Sequence, residues 1–359
     1  MIRYIVRRLY YGLLVLWGVA SVVFILFNVL PGDPARMMMG QRADQAAIDA
    51  VRKELGLDQP LPIQYLNYLN DLSPLSVHQT TNQTGSWYFH AKKYAASARL
   101  FSVSDFVVVV KMPYLRQSYQ SKRQVHDVLA EAFPKTFVLA LSSIAFAMLL
   151  GIVIGSVAAV VNRAYLNRII LVITSLGMSL PSFFAAILMA WIFAWLLADF
   201  TGLSMFGSLY AVDDYGSGEQ LALKNLILPA LTLGIRPLAI VTELTRTSLI
   251  DVLTQDYIRT AKAKGLGRMS IVLKHALRNA LNPVITAVSG WFASLLAGAV
   301  FVEYVFDWKG VGVVIVDALE KYDLPVLMGS VLMIAVFLII INIFVDIIYG
   351  VLDPRVRLA

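Results

Sequence analysis

Long runs without a charged residue constrain this chain more than any other feature of its sequence. A helix rises about 1.5 Å per residue, so roughly 20 apolar residues are needed to cross the hydrocarbon core of a bilayer. Five uncharged runs reach this length, and a sixth opens as NLILPALTLGI before charges enter it. The predicted spans are Leu9–Leu30, Phe137–Val161, Ile169–Ala198, Asn225–Leu249, Pro283–Val302 and Val326–Val345. The sequence therefore predicts an all-α integral membrane protein with six spans.

The composition agrees with lipid as part of the solvent. Hydrophobic residues make up 58% of the chain and charged residues only 15%, which is unusual for a soluble domain. A net charge of +7 would suggest nucleic-acid binding in a soluble protein, but here the basic residues cluster in short loops between the apolar runs. We therefore expect no nucleic-acid partner. The absence of cysteine excludes disulfides and thiolate metal sites.

The distribution of charge between the loops predicts the orientation of the chain, because lysine and arginine resist translocation in short loops. The basic residues that flank the spans are Arg3, Arg7, Arg8, Arg163, Arg168, Arg355 and Arg357. Acidic residues dominate the opposite loops: Asp199, Asp213, Asp214, Glu219, Glu303, Asp307, Asp317, Glu320 and Asp323. Both termini are therefore predicted to be cytoplasmic. Residues 32–135 must then lie outside, and loops longer than roughly 60 residues are exempt from the rule.

These boundaries divide the chain into four parts. Residues 1–31 form the cytoplasmic N-terminus and span 1, 32–135 an extracytoplasmic subdomain, 136–350 the membrane core with a cytoplasmic loop at 251–282, and 351–359 a cytoplasmic tail. The subdomain opens with the helical pattern ADQAAIDAVRKELG and is expected to be small and α-rich. Its run FVVVV (Phe106–Val110) is too short to span and predicts a strand or a buried patch.

The loop at 251–282 has a predicted architecture of its own. Residues Tyr257–Lys264 favour a helix, Gly265 can adopt the left-handed conformation that ends one, and Met269–Leu281 restart a helix. Such a helical hairpin is too polar for lipid and suggests a docking surface for a cytoplasmic partner. A solvated basic loop that obeys the positive-inside rule is the alternative.

Charges also occur within the fourth predicted span. Arg236 and Glu243 are seven residues apart and share one helix face, and Arg246 lies a further three residues on. Charged residues inside spans usually face a bundle interior or an aqueous cavity, so this polar stripe is a candidate for the substrate path. A structural ion pair at the cytoplasmic interface is the alternative. In either case Arg236 and Glu243 are expected to neutralise each other in part.

No motif predicts covalent chemistry. The phosphate-loop pattern GxxxxGK[ST] does not occur, and the four histidines are not spaced as a metal pair. We therefore predict no catalytic residue, no metal site and no cofactor. If ATP drives this protein, a partner subunit must hydrolyse it.

Several motifs resemble one known family. The segment YIRTAKAKGL…HALRNALNPV resembles the EAA loop of ABC-importer permeases, in the version of the dipeptide, oligopeptide and nickel family. The resemblance extends to LPGDPARMMMG (residues 30–40), ELGLDQPLPIQY (54–65), SLPSFF (179–184) and VLDPRVR (351–357). Residues 72–112 look like an insertion, and Glu243 stands where the family more often has a basic or neutral residue.

The resemblance implies a six-span, MetI-like permease bundle in the bacterial inner membrane, with a small extracytoplasmic subdomain between spans 1 and 2. It implies as partners a second permease, two ATP-binding subunits and an extracytoplasmic solute-binding protein. The residues implied to couple to the ATPase are Tyr257, Arg259, Thr260, Ala261, Lys262, Ala263, Lys264, Gly265 and Arg268. Among these, Ala261 and Ala263 would allow close approach to the partner.

Two other functional classes remain as alternatives. A secondary carrier would contain inverted repeats and discontinuous helices, and the sequence gives no sign of either. A scaffold or receptor subunit would use the basic hairpin to bind something other than an ATPase. The sequence does not distinguish a dipeptide, an oligopeptide or a nickel chelate as the solute.

Overall fold

A computed structural model describes residues 2–29, 36, 44–54, 56–80, 87–89, 94, 97–161, 163–212 and 218–352. They form two compact units. The first contains Ala132–Val313 and the chain from Phe337 onward, and the second contains Ile2–Glu131 and Val314–Val336. The motif at residues 30–40, apart from Arg36, and residues 353–359 of the predicted tail lie outside the described residues.

Helices account for most of the described chain. In chain order they are α1 (Ile2–Val29), α2 (Gln45–Glu54), α3 (Leu61–Leu72), α4 (Val125–Val161), α5 (Ala164–Ser179), α6 (Ser182–Met189), α7 (Ala198–Thr201), α8 (Ile227–Leu253), α9 (Asp256–Ala263), α10 (Arg268–Ser270), α11 (Leu277–Ala280), α12 (Asn282–Gly298), α13 (Val300–Val305), α14 (Val311–Glu320) and α15 (Leu324–Leu352). A π-helical stretch, Ala190–Leu196, continues α6, and another, Ile271–Ala276, joins α10 to α11.

Four helices in the described part of the chain are long and apolar enough to cross a membrane. They cover Val6–Leu26, Val125–Val161, Leu223–Leu253 and Leu324–Ile347, which correspond to the first, second, fourth and sixth predicted spans. The fifth predicted span is divided between α12, with 17 residues or about 25 Å of helix, and the short α13. Many apolar side chains on these helices are exposed, among them Leu13, Trp17 and Leu149, as expected for surfaces that face lipid.

The third predicted span, Ile169–Ala198, is not one straight helix. Helix α5 ends at Ser179 and α6 begins at Ser182, and the two segments are bent by 109°. Pro181 explains the break, because its ring disfavours helical conformation in the residue before it. Leu180 is accordingly extended, with φ −69° and ψ 129°. The single span predicted here is therefore interrupted at Leu180 and Pro181.

The predicted extracytoplasmic subdomain contains a sheet as well as helices, so the expectation of an all-α fold is wrong. Strands β1 (Leu75–Gln79), β2 (Ser97–Val103) and β3 (Phe106–Lys111) form an antiparallel sheet in the order β1-β3-β2. The predicted strand in FVVVV is confirmed as β3. Alternate residues of β3 are buried, with Val107 2% and Val109 0% exposed, which is the period-2 pattern of a sheet with one covered face.

A second, smaller antiparallel pair lies between α7 and α8. It consists of β4 (Tyr210–Val212) and β5 (Glu219–Leu221), and all six residues are exposed. The chain then passes through a 3-10 turn, Leu223–Leu226, into α8. These strands therefore mark a connection and do not build a core.

The second unit has its core where α1 meets α3. Phe24 is 4% exposed and its ring lies 5.2 Å from that of Tyr65 and 5.5 Å from that of Tyr68. A hydrogen bond of 2.5 Å between Ser21 Oγ and Tyr65 Oη joins the same two helices. Met328 and Leu332 of α15 complete this cluster. Burial of these aromatic rings fixes α3 against one face of α1.

In the first unit, α4 and α8 approach closely because α4 presents two glycines one turn apart. A Cβ added to Gly151 would lie 2.7 Å from Val241 Cγ1, and one added to Gly155 would lie 2.5 Å from the carbonyl oxygen of Thr242. The spacing Gly-x-x-x-Gly is one that allows membrane helices to pack backbone against backbone. The contact lies within the polar segment of α8, between Arg236 and Arg246.

Candidate functional site

The predicted helix, turn and helix between residues 256 and 280 is confirmed. Helix α9 spans eight residues, and Gly265 follows it in the left-handed region with φ +79°. The Gly265 N–H donates to the Lys262 carbonyl at 3.0 Å and the Leu266 N–H to the Ala261 carbonyl at 3.3 Å. These bonds close the C-terminus of α9, and Gly265 reverses the chain.

The inner face of this hairpin packs against the chain's own core. Ile258 is fully buried and Ala261 is 7% exposed, and both pack in a cluster with Leu249 and Ile271. The hydroxyl of Tyr257 accepts a hydrogen bond of 2.9 Å from the Asn279 side chain. The hairpin is therefore a fixed projection from the ends of α4 and α8, and not a loose loop.

The outer face is basic and exposed. Its exposed members among the predicted coupling residues are Tyr257, Arg259, Thr260, Lys262, Ala263, Lys264, Gly265 and Arg268. Arg259 pairs with Asp256 at 3.4 Å, and both groups are so exposed that the pair contributes little stability. Three cations at positions 259, 262 and 264 face outward from one short helix and its end.

One residue of the predicted set is placed differently from the expectation, and a second makes a contact within the chain. Ala261 was expected to allow close approach to a partner, but it is buried in the hairpin's own core. Arg268 is exposed, yet its Nη2 donates to the carbonyl oxygen of Val160 at the end of α4. Both residues therefore hold the hairpin in place, and Ala263 is the alanine that remains exposed.

The polar stripe on α8 is present, but its expected pairing is wrong. Glu243 pairs with Arg246 at 3.3 Å, one helical turn away, and Arg246 also donates to Asn167 at 3.4 Å. Arg236 instead donates from Nη2 to the carbonyl oxygen of Leu180 at 3.1 Å. Seven residues correspond to about 10 Å along a helix, and each of the two side chains has a nearer partner than the other.

A buried carboxylate near the start of α14 was not foreseen as a site. Glu303 on α13 has no exposed surface. The Gly312 N–H donates to its Oε2 at 2.6 Å, and the neighbouring Val311 N–H donates to Thr136 Oγ1 at 2.8 Å. The first N–H groups of α14 are thus capped by side chains from α13 and α4. Glu303 belongs to a predicted acidic outer loop, and its burial follows from contacts made only in the folded chain.

Within the described residues, no three His, Asp or Glu side chains come together as a group that could hold a metal ion. The described helices that are able to cross a bilayer define a multi-pass membrane protein, and the basic hairpin is its exposed polar segment.

Comparison with known proteins identifies which multi-pass family this is. Residues 151–358 match the model of the binding-protein-dependent transport system inner membrane component, and residues 1–85 match the model of its N-terminal region. The chain is 36% identical over 357 residues to the glutathione transport system permease protein GsiC of Pectobacterium atrosepticum, covering 99% of each. It is 33% identical over 377 residues to the di/tripeptide transport system permease protein DppB of Pseudomonas aeruginosa, again with 99% of each covered.

The fold is also found in a solved transporter. A chain of the MetNI methionine ABC transporter in an inward-facing conformation superposes with a TM-score of 0.52 at 17% identity, over 64% of this chain and 97% of that one. The chain thus belongs to the family of binding-protein-dependent transport system inner membrane components. It is a multi-pass permease subunit of an ABC importer, with a MetI-like, mostly helical fold.

Proposed function

We propose that this permease forms half of a translocation pathway for small peptides. Two of its relatives carry the names of glutathione and di/tripeptide permeases and match over 99% of their length. A second permease subunit would supply the other half of the pathway, and an extracytoplasmic solute-binding protein would deliver the peptide. The permease itself offers no covalent chemistry, and it alternates between inward-open and outward-open states.

The observation that carries this proposal is the rigid basic hairpin at residues 256–268. Its inner face is fixed by Ile258 and Ala261, while Arg259, Lys262 and Lys264 project outward. We infer that α9 is the coupling helix and that it seats in an acidic groove of an ATP-binding subunit, since complementary charge steers such docking. Two ATP-binding subunits, one for each permease, then bias the equilibrium between the two states.

Co-purification tests this function. The tagged permease, expressed together with its neighbouring genes, is expected to retain its partners after detergent extraction. The complex should contain two permease subunits, one of them tagged, and two ATP-binding subunits. Reconstituted into vesicles, this assembly should accumulate small peptides only when ATP and the solute-binding protein are present. Accumulation driven by a proton or sodium gradient without ATP would indicate a secondary carrier. A complex without any ATP-binding subunit would indicate a scaffold or receptor.

The orientation is also part of the proposal, with both termini and the hairpin in the cytoplasm and residues 32–135 outside. Cysteines at Ser102 and Met269 test it, because the chain has no cysteine of its own and both side chains are exposed. In intact cells an impermeant thiol reagent should label Ser102→Cys alone, and Met269→Cys should react only after the cells are opened. Labelling of both variants from outside would contradict the six-span orientation.

A further inference from the structure

A small cavity lies at the break between α5 and α6. Its volume is about 90 Å³, which is space for roughly three water molecules. Helices α5, α6, α8 and α12 contribute its lining, which includes Gly177, Leu180, Ser182, Arg236, Trp291 and Ser294. Among the described residues that line it, only Arg236 carries a charge, so the cavity is electropositive.

The guanidinium of Arg236 is only partly satisfied by the protein. Its Nη2 donates to the Leu180 carbonyl, and its Nε is fully buried without a hydrogen-bond partner in the described part of the chain. An arginine carries five N–H donors in a planar fork, and a buried donor without a partner is costly. An acceptor placed in the cavity would remove that cost.

The helix break places a second source of positive charge, a helix N-terminus, beside the cavity. Helix α6 begins at Ser182 after Pro181, and the first N–H groups of a helix have no partner within it. These groups give the N-terminus a partial positive charge. Along α8 the cavity lies away from the helix ends, because Arg236 is nine residues beyond the start of α8 at Ile227, about 14 Å along the axis.

We propose that Arg236 and the α5–α6 break form a subsite for the carboxylate of a solute, an inference that rests on the peptide permease function proposed above. A carboxylate presents two coplanar oxygens that match the guanidinium fork, and every unmodified peptide carries one at its C-terminus. The cavity accepts that group but not the whole peptide. The exposed side chain of Ser294 marks the side from which the rest of the solute would extend.

The test uses the complete transporter in vesicles with its solute-binding protein. The probe is an equimolar mixture of alanine di- and tripeptides and their C-terminal amides, and mass spectrometry measures the uptake of each. Every uptake is divided by that of the wild-type permease, so the preference of the binding protein cancels. Arg236→Gln is expected to lower uptake of the free carboxylates about tenfold and to leave uptake of the amides near the wild-type value.

Two further variants separate a binding role from a structural one. Arg236→Lys keeps the charge but loses the planar fork of the guanidinium. Its uptake of free carboxylates should therefore lie between that of Arg236→Gln and that of the wild type. If Arg236→Gln does not assemble, Arg236→Lys is the variant that tests the proposal. Lys224→Gln removes an exposed cation near the start of the same helix. It should change the uptake of free carboxylates and of amides by the same factor. If Arg236→Gln lowers the uptake of free carboxylates and of amides equally, the proposed subsite is wrong but the peptide permease function stands. Absence of all peptide uptake by the wild type would overturn both.

Discussion

Replacing Gly265 by valine is expected to uncouple ATP hydrolysis from uptake while leaving the spans intact. Gly265 has φ +79°, and a Cβ there would meet nothing within 4 Å, so the effect comes from the backbone alone. A residue with a side chain pays about 1–2 kcal/mol in this conformation, and a β-branched one pays more. That strain lowers the population of the native turn roughly five- to thirtyfold, and α9 then no longer presents its basic face at a fixed angle.

Gly267 provides a matched control two residues away. It also has nothing within 4 Å of an added Cβ, but its φ is −65°, which any residue adopts. Gly267→Val should therefore retain assembly and uptake, and Gly265→Asn should recover part of both because asparagine tolerates the left-handed region. The measurements are retention of the ATP-binding subunits, ATPase activity and peptide uptake in vesicles. Wild-type uptake by Gly265→Val would refute the assignment of the hairpin.

The second large effect is expected at Gly155, where valine should prevent the first unit from folding. A Cβ at this position would lie 2.5 Å from the Thr242 carbonyl oxygen and 2.8 Å from Thr245 Cβ. The first of these is a backbone atom, so it cannot swing away as the end of a flexible side chain can. Helices α4 and α8 would have to separate, at a cost of about 3 kcal/mol or more.

Folding of this variant is measured as the amount of monodisperse protein after detergent extraction and as the midpoint of its thermal transition. Gly18 in α1 is the control, because an added Cβ there meets nothing within 4 Å. Gly18→Val should extract and melt like the wild type, and Gly155→Ala should be milder than Gly155→Val. A Gly155→Val protein as stable as the wild type would show that α4 and α8 do not pack backbone against backbone.

The two positions differ in how far sequence alone could predict them. Gly265 follows a run of helix-forming residues and precedes a second one, so its role as a helix stop is a local property that the pattern revealed. Gly155 lies in an uninterrupted apolar helix, and its partner at Thr242 is 87 residues away along the chain. The Gly-x-x-x-Gly spacing is compatible with close helix packing, but this contact was not predicted, and the spacing does not identify the partner.

At the candidate subsite, too, the sequence contained a signal for one feature and not for another. Pro181 in the motif SLPSFF was a signal in the sequence for the break that the structure contains, but Pro134 and Pro237 lie inside α4 and α8 without ending them. The pairing expected for Arg236 was wrong because helical periodicity relates only residues of one helix. Its actual partner, Leu180, lies on a different helix segment 56 residues earlier.

Sequence by itself determined the elements whose cause is local. Apolar runs long enough for a bilayer predicted α1, α4 and α15, the short apolar run FVVVV predicted a strand or a buried patch where β3 lies, and a glycine between two helical runs predicted the hairpin. Only the tertiary structure decided which faces meet: that Ala261 points inward, that Glu303 caps α14, and that Arg236 meets the broken helix. Hydropathy and backbone preference act on neighbours along the chain, whereas packing joins groups that are distant in sequence and close only after folding.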